Sequence, residues 1–279
     1  MAFTATTSNS ASAWRPDLFT FDASEAIPDA LVLNYTNIRG AIEGDEPALR
    51  VAYVIDDDAE FVDEGAEIEE STPDLNEAVV YTKKIAQLIR ITREQYRQAG
   101  TDTELARSVE RAMTIKADRA LLAQLAPVAP DVAPATGLAH WPGQVTASGV
   151  GENLDKLIDL EAAVRSNGAR PTAWIMAPDT WAALRKIKQT TESAVSILGA
   201  GTNDATPMVL SIPVEVNNQM PSKTGLLVDK DAVVSAVSQL EIATSADTYF
   251  SSDSVAVRAT WRTGHTVPRP NRLGTFTLV

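Results

Sequence analysis

Eleven carboxylates lie between Asp56 and Glu77, with no lysine or arginine among them. Oxygen clusters of this kind suit hard cations such as Ca²⁺ or Mg²⁺. The spacing does not reproduce an EF-hand loop, and a long run of one charge is ordinarily a solvated face. No metal site is therefore expected. The only histidines are His140 and His265. One sits in a loop beside Trp141 and the other beside a turn, so both read as structural or exposed. No acid or serine at a telling spacing completes a triad. The GAGT run at 199–202 is too short for a dinucleotide fingerprint and lacks its third glycine, and no GxxxxGK[ST] occurs. Trp174 and Trp181 are spaced as core residues. No catalytic, cofactor-binding or metal-ligating residue is predicted, and no cofactor.

The elements that would carry the acidic run are more informative than the run itself. Residues 51–55 are rich in β-formers, and Ile85, Ile89 and Ile91 fall on one side of a period-two alternation. Residues 51–92 read as one long hairpin with an acidic tip containing Gly and Pro. Arms on the order of 15 residues would reach about 50 Å. A compact chain of this length has a radius of gyration of about 19 Å. Such an arm does not lie down on its own domain, and an isolated two-stranded ribbon is barely stable in water. A neighbouring subunit is the expected support.

Composition sets the frame. The chain has 279 residues, is 44% apolar, has no cysteine and carries a net charge of −13. A sizeable core is possible at this length, and no disulfide framework or thiol nucleophile exists. A general nucleic-acid binder would carry a basic face, because neutralising phosphates supplies most non-specific affinity. There is no run of 18 apolar residues to span a membrane. The polar N-terminus lacks the basic and apolar regions of a signal peptide. It reads as an arm over residues 1–34, with Phe19, Phe21, Leu31 and Leu33 as anchors.

After the hairpin, Thr101 and Glu104 make a capping-box pattern and Pro127 a stop. About 24 residues at 1.5 Å each predict a rod of roughly 36 Å. Leu105, Val109, Ala112 and Met113 form its apolar stripe. Arg107, Arg111, Lys116 and Arg119 are spread over its other faces. They read as a solvated helix side; the sharper alternative is a weak basic strip facing a polyanion. Residues 126–151 are rich in Pro, Ala and Gly and read as a linker. An α/β pattern follows. Leu154, Leu157, Ile158 and Val164 line a helix stopped by Asn167-Gly168, and 172–176 is a short apolar strand. Pro178 opens a helix with Asp179 at its positive end and Arg185, Lys186 and Lys188 at the other. Residues 190–207 read as an exposed loop. Strands are expected at 209–216, 225–228, 240–244, 255–260 and 274–278, with Pro268 and Pro270 at an edge or turn.

Three blocks, taken together, resemble the major capsid proteins of tailed bacteriophages, whose fold is named after phage Hong Kong 97. AEFVDEGAEIEESTPDLNEAVVYTKKIAQLIRITREQ is similar to the family's extended E-loop leading into its peripheral domain. Within it, Glu64-Gly65, Ile68 and Glu70-Ser71 match the usual acidic tip. ARPTAWIMAPDTWAALRKIKQ resembles the strand–Pro–helix unit of the axial domain. LSIPVEVNNQMPSKTGLLVDKDAVVSAVSQLEI, running into SVAVRATWRTGHTVPRP, resembles the closing strands and the return to the peripheral domain. The resemblance covers the chain from about Leu31 onward. One departure is Ser211, where the family often has Gly. Another is that the polar arm starts at Met1, leaving no room for a long helical scaffolding segment.

The resemblance implies an α+β Hong Kong 97-type fold. Its parts would be an arm (1–34), the start of a peripheral domain (35–47), an E-loop hairpin (48–84), a peripheral domain (85–134) with a spine helix at 102–126, an axial domain (135–240) and a return to the peripheral domain (241–279). It implies hexamers and pentamers in an icosahedral shell around double-stranded DNA, in a virion assembled in the bacterial host's cytoplasm. The E-loop tip, through Asp58, Glu60, Asp63, Glu64, Gly65, Glu67, Glu69 and Glu70, would contact neighbours. Gly199, Gly201, Asn203 and Asp204 would lie in a loop near the capsomer centre, and Arg107, Arg111, Lys116 and Arg119 would face the interior. Implied partners are further copies of the chain, a portal protein, separate scaffolding and decoration proteins, and weakly contacted packaged DNA; no membrane is implied.

One branch of the family cross-links its subunits through an E-loop lysine, an asparagine and a glutamate. Here 51–82 has no lysine, and the latter two positions align with Asp253 and Thr260. Two other readings compete. An encapsulin-like compartment would share the fold but commonly begins with a cargo-binding helix, whereas residues 1–17 are polar. A soluble acidic α/β enzyme would use the hairpin as a lid and would run as a monomer.

Overall fold

The computed structural model describes residues 18–42, 46–55, 61, 74–96, 101–151, 153–188, 196, 198 and 207–279. In chain order, its first elements are β1 (Leu18–Phe21), α1 (Ala23–Ala26), α2 (Leu31–Asn34), β2 (Asn37–Ala41), β3 (Ala48–Ile55), β4 (Asp74–Tyr81) and β5 (Lys83–Thr92). Then come α3 (Arg93–Tyr96), α4 (Thr101–Ala123), β6 (Val145–Val150), α5 (Asp155–Ser166), β7 (Ala173–Met176) and α6 (Pro178–Lys186). The last are β8 (Met208–Val209), β9 (Ile212–Val216), β10 (Thr224–Val228), β11 (Val234–Val237), β12 (Leu240–Tyr249), β13 (Ser254–Thr266) and β14 (Gly274–Leu278).

Two sheets and a separate ribbon organise the chain. In the first sheet β13 is central. β5 runs antiparallel along one side of it, from Ser254↔Thr92 to Thr263↔Lys83. β12 and then β11 run along the other, with β1 added outside β12 and β2 outside β11. The second sheet has the order β6-β14-β10-β7-β9-β8. Its middle strands β7 and β10 are apolar on both faces because both faces are covered. Trp174, Met176 and Leu227 pack with Leu157, Leu160 and Val164 of α5 and Leu184 of α6. Ile175, Leu226 and Val228 point the other way, into a core shared with Val109, Met113, Ala117 and Leu121 of α4 and with Ala259 and Trp261 of the first sheet. The buried residues of α4 recur every four positions, so one stripe of the helix ties both sheets together.

The ribbon is β3 paired antiparallel with β4, from Ala48↔Tyr81 at its foot to Ile55↔Asp74 at its far end. This corrects the reading of 51–92 as a single hairpin. The described arms are eight residues each, and the alternating segment at 85–91 is β5, a strand of the first sheet. The switch happens at Thr82, which is 4% exposed. Its N–H donates to Pro47 O at 2.9 Å and its hydroxyl to Glu46 O at 2.6 Å. β-propensity runs straight through this point, so nothing in the composition marks the change of partner.

Other differences have equally local causes. α4 ends at Ala123, short of Pro127. The 126–151 segment contains a 3-10 turn (Leu138–His140) and β6, which pairs parallel with β14. The expected strand at 209–216 is broken into β8 and β9 by Leu210 and Ser211, at φ +52° and +63°. Ser211 thus occupies the left-handed conformation that glycine favours. Ile158 is 48% exposed, and the buried face of α5 is Leu157, Leu160 and Val164. The short strands β2 and β11 escape the alternation test, and β12 and β13 are longer than 240–244 and 255–260.

Candidate assembly surfaces

The ribbon is packed against the rest of the chain at its foot. Val80 and Ala78 of β4 are buried, and Val80 packs with Ile42, Val234 and Ala236, with Leu49 and Val51 of β3 alongside. Gly264 of β13 passes so close to the foot that a Cβ there would stand 2.2 Å from the Tyr81 carbonyl oxygen. The Arg262 guanidinium donates to the Thr82 hydroxyl at 3.2 Å. Beyond the foot the contacts thin out. Ala52, Asn76 and Glu77 are exposed, and the Arg50–Glu77 ion pair at 3.3 Å is a surface pair that contributes little. Seven residue steps separate the foot pair from the far pair, about 23 Å of strand.

A buried acid sets the relation between the arm, α4 and the second sheet. Asp118, in the last third of α4, is 4% exposed. One of its carboxylate oxygens accepts the Leu31 N–H at the start of α2, at 2.8 Å. The other accepts the Asn217 side-chain amide, in the turn after β9, at 2.8 Å. Burial raises its pKa; the two donors oppose that, and the charges of Glu215 and Asp29 add to it. Close by, Tyr35 donates its hydroxyl to Glu215 at 3.3 Å, and burial, then the Glu215 charge, raises its pKa. The sequence signal was an acid at position 118 beside the buried stripe Val109–Met113–Ala117–Leu121.

Two further polar groups are structural. Asp179, at the start of α6, accepts Thr180 N at 2.8 Å and Lys223 N at 3.0 Å, and also the Ser222 hydroxyl. The Ser222 hydroxyl is the main cause of its lowered pKa. The expected helix-end acid therefore also clamps the turn before β10. His265 takes the structural one of the two roles the sequence left open. It is buried on β13, its ring 5.8 Å from that of Trp141, with Nε2 2.8 Å from the Thr136 carbonyl oxygen. Burial lowers its pKa to about 4, against the opposing hydrogen bond, so the neutral ring donates Nε2–H to that carbonyl. His140 is exposed.

The expected contact residues divide by where they lie. Asp58, Glu60, Asp63, Glu64, Gly65, Glu67, Glu69 and Glu70 fall outside the described residues, as do Gly199, Gly201, Asn203 and Asp204. Of the 190–207 loop, Ser196, Leu198 and Pro207 are described; Ser196 forms a bridge with Lys188, and its hydroxyl donates to Arg185 O at 2.8 Å. Arg107, Arg111, Lys116 and Arg119 are all exposed. At about 100° per residue, Arg107 and Arg111 share one flank of α4 and Lys116 and Arg119 the other, with half-exposed Ile115 between them. Arg107 pairs with Glu104 at 3.4 Å. Large apolar side chains stand in solvent at Leu88, Leu125, Val128, Val132 and Phe250. Among the described residues no group of three or more His, Asp or Glu is placed to hold a metal ion, and no helix is long and apolar enough to cross a membrane.

A profile of the phage capsid family matches residues 32–277. The chain belongs to the phage capsid family. It is therefore a structural shell protein of a bacteriophage capsid and not an enzyme. Among curated protein sequences no match is found. Solved structures share its mixed α and β fold at low identity. One from Gordonia phage Cozz is 13% identical with a TM-score of 0.69, over 90% of this chain and 86% of that one. One from Microbacterium phage Oxtober96 is 12% identical with a TM-score of 0.69, over 100% and 96%. The capsid of an empty GTA particle is 16% identical with a TM-score of 0.66, over 90% of each chain.

Proposed function

We propose that this capsid protein assembles as hexamers and pentamers of an icosahedral shell that encloses the double-stranded DNA of a tailed bacteriophage. The observation that carries the reading is the ribbon. It is anchored at one end by Val80, Ile42 and Gly264, and it extends about 23 Å to a far end that leads into the acidic segment. A two-stranded ribbon does not hold itself in water, so a neighbouring subunit is its natural support. In this reading the ribbon is the E-loop, α4 the spine helix, the first sheet the peripheral domain and the second sheet with α5 and α6 the axial domain. Leu125, Val128, Val132 and Phe250 are then further contact points between subunits. Many modest contacts closed into rings and a shell give strong effective binding without a single strong one.

A portal protein, scaffolding and decoration proteins supplied separately, and assembly in the host cytoplasm belong to the same proposal. The net charge of −13 suits a wall that does not grip the DNA it must later release. The encapsulin-like alternative is not favoured, because the family matched is that of phage capsids. Electron microscopy and light scattering of the concentrated protein, with its scaffold where one is needed, test the reading. Hollow shells or capsomers are expected; a strictly monomeric protein under all those conditions would sink it.

A further inference from the structure

A cavity of about 250 Å³ opens where β5 leaves Thr82, between β5, the last turns of α4 and the end of β13. Its walls include Ile85, Ala120, Leu121 and Pro134, and Lys83 and Lys116 also line it. Buried His265 closes one side in its neutral form and adds no charge. The cavity is thus an apolar hole bordered by ammonium groups. A hole of roughly 150 Å³ already accepts a benzene ring. The group that fits is an aromatic side chain with carboxylates beside it.

The chain itself carries that group. Between Asp56 and Glu70 there are nine carboxylates, no cation and a single aromatic, Phe61. Phe61 is fully exposed. A phenyl side chain among acids is poorly placed in water and cannot enter an ordinary apolar surface without stranding its charged neighbours. The lysine-bordered cavity meets both requirements at once. It is not occupied by Phe61 of the same subunit, which stands in solvent. The ribbon runs about 23 Å from its foot to Ile55, and the backbone of the six residues from Ile55 to Phe61 spans at most about 20 Å when fully extended. The cavity lies past the foot.

We propose that Phe61 of one copy seats in the β5–α4–β13 cavity of a second copy, with Glu60, Asp63 and Glu64 lying against Lys83 and Lys116. This rests on the shell reading and names the surface that receives the ribbon's end. The test places a photoreactive benzoylphenylalanine at position 61 of the full chain, which keeps an aromatic ring there. Isotopically heavy and light chains are mixed before assembly and particles are scored by electron microscopy before irradiation. The expected result is heavy–light adducts mapping to residues 116–124 or 134–135. Particles whose adducts map elsewhere, or only within one chain, overturn the docking while leaving the shell reading standing; no particles and no adducts overturn both. The same probe at Trp14, in the uncharged part of the arm, should give no adduct in the cavity, and finding one there instead would assign the cavity to the arm. Lys83→Glu with Lys116→Glu should lower particle yield at least ten-fold, and Glu60→Lys, Asp63→Lys and Glu64→Lys added together should recover most of it. Failure of the charge reversal to lower the yield would refute the electrostatic half of the fit.

Discussion

Replacing Asp118 separates two roles of one buried carboxylate. Asp118→Ala leaves the Leu31 N–H without its acceptor at a site where Asp118 is 4% exposed. An unmet buried donor costs about 1–3 kcal/mol. The half-buried Asn217 amide, also released, turns to water at little cost. Removing a desolvated charge returns part of the loss, so the net is about 2 kcal/mol. For a chain of this size that lowers the melting temperature by about 3–4 °C. Asp118→Asn keeps an acceptor for Leu31 and removes the charge, so it should stay within about 1 kcal/mol of wild type at neutral pH. The pH dependence has a definite sign. The folded carboxyl holds its proton more readily than the unfolded one, mainly through burial. Its favourable contribution is complete below the unfolded pKa and is lost as pH rises through the raised folded value. The stability of Asp118→Asn relative to wild type should therefore increase as pH rises across that window. Urea unfolding of the unassembled subunit at a series of pH values measures both effects. An Asp118→Ala variant within 0.5 kcal/mol of wild type (roughly the additivity error of such measurements) would refute the argument, as would a relative stability that moves the other way with pH.

Replacing residues 58–73 by a short Gly-Ser turn should leave a folded subunit with unchanged unfolding but block shell closure, read by calorimetry and electron microscopy; normal shells would contradict it. Ser211→Gly relieves a left-handed serine at φ +63° and should stabilise the subunit by about 0.5 kcal/mol after the greater freedom of glycine in the unfolded chain is counted, seen as a small rise in melting temperature. His265, with its pKa lowered to about 4, contributes stability that is lost as pH falls from about 6.5 toward 4, up to about 3 kcal/mol. His265→Gln should flatten that limb of the acid unfolding curve. Mature particles boiled in SDS should release one band near 29.9 kDa; a ladder of covalent rings would show the prediction wrong.

The elements with one strong local signal were legible. The buried strand AWIM, the Pro178-initiated α6, the stripe of α4 and the alternation of β5 each follow from period and capping alone. What the sequence hid is which strand pairs with which. β4 and β5 are separated by one residue and look like one arm, and the bend at Thr82 exists because of partners 35 or more residues away in sequence, at Glu46 and Pro47, and far beyond at Arg262. β6 was hidden in a Gly- and Pro-rich segment because an edge strand pairing on one side needs little apolar content. The acidic tip was conspicuous because charge is read residue by residue. The Lys83–Lys116 cavity was not, because its walls come from five stretches of chain that only the fold brings together.

The expectation that no covalent cross-links form rests on chemistry at three positions. An amide bond between subunits needs an unprotonated amine, an acyl group with a good leaving group and a base to take the proton. Lys83 and Lys84 begin β5 at the ribbon's foot, paired across from Thr263 and Arg262 in the same subunit, about 23 Å from the far end that would meet a neighbour. The asparagine position holds Asp253, in a left-handed turn at φ +43°, with its carboxylate 3.0 Å from the Arg93 guanidinium. A carboxylate must expel an oxide-level oxygen, whereas an amide releases ammonia, so this group is a poor acyl donor. Only the base has a counterpart. Thr260 donates its hydroxyl to Glu241 at 3.4 Å, from the facing strand β12, so a carboxylate stands at the third position although the local sequence offers none. A base without an amine and an acyl group beside it forms no bond. The work of holding neighbours would then fall to apolar contacts such as Leu88 and Phe250, both more than half exposed in the single subunit, and to the proposed docking of the ribbon.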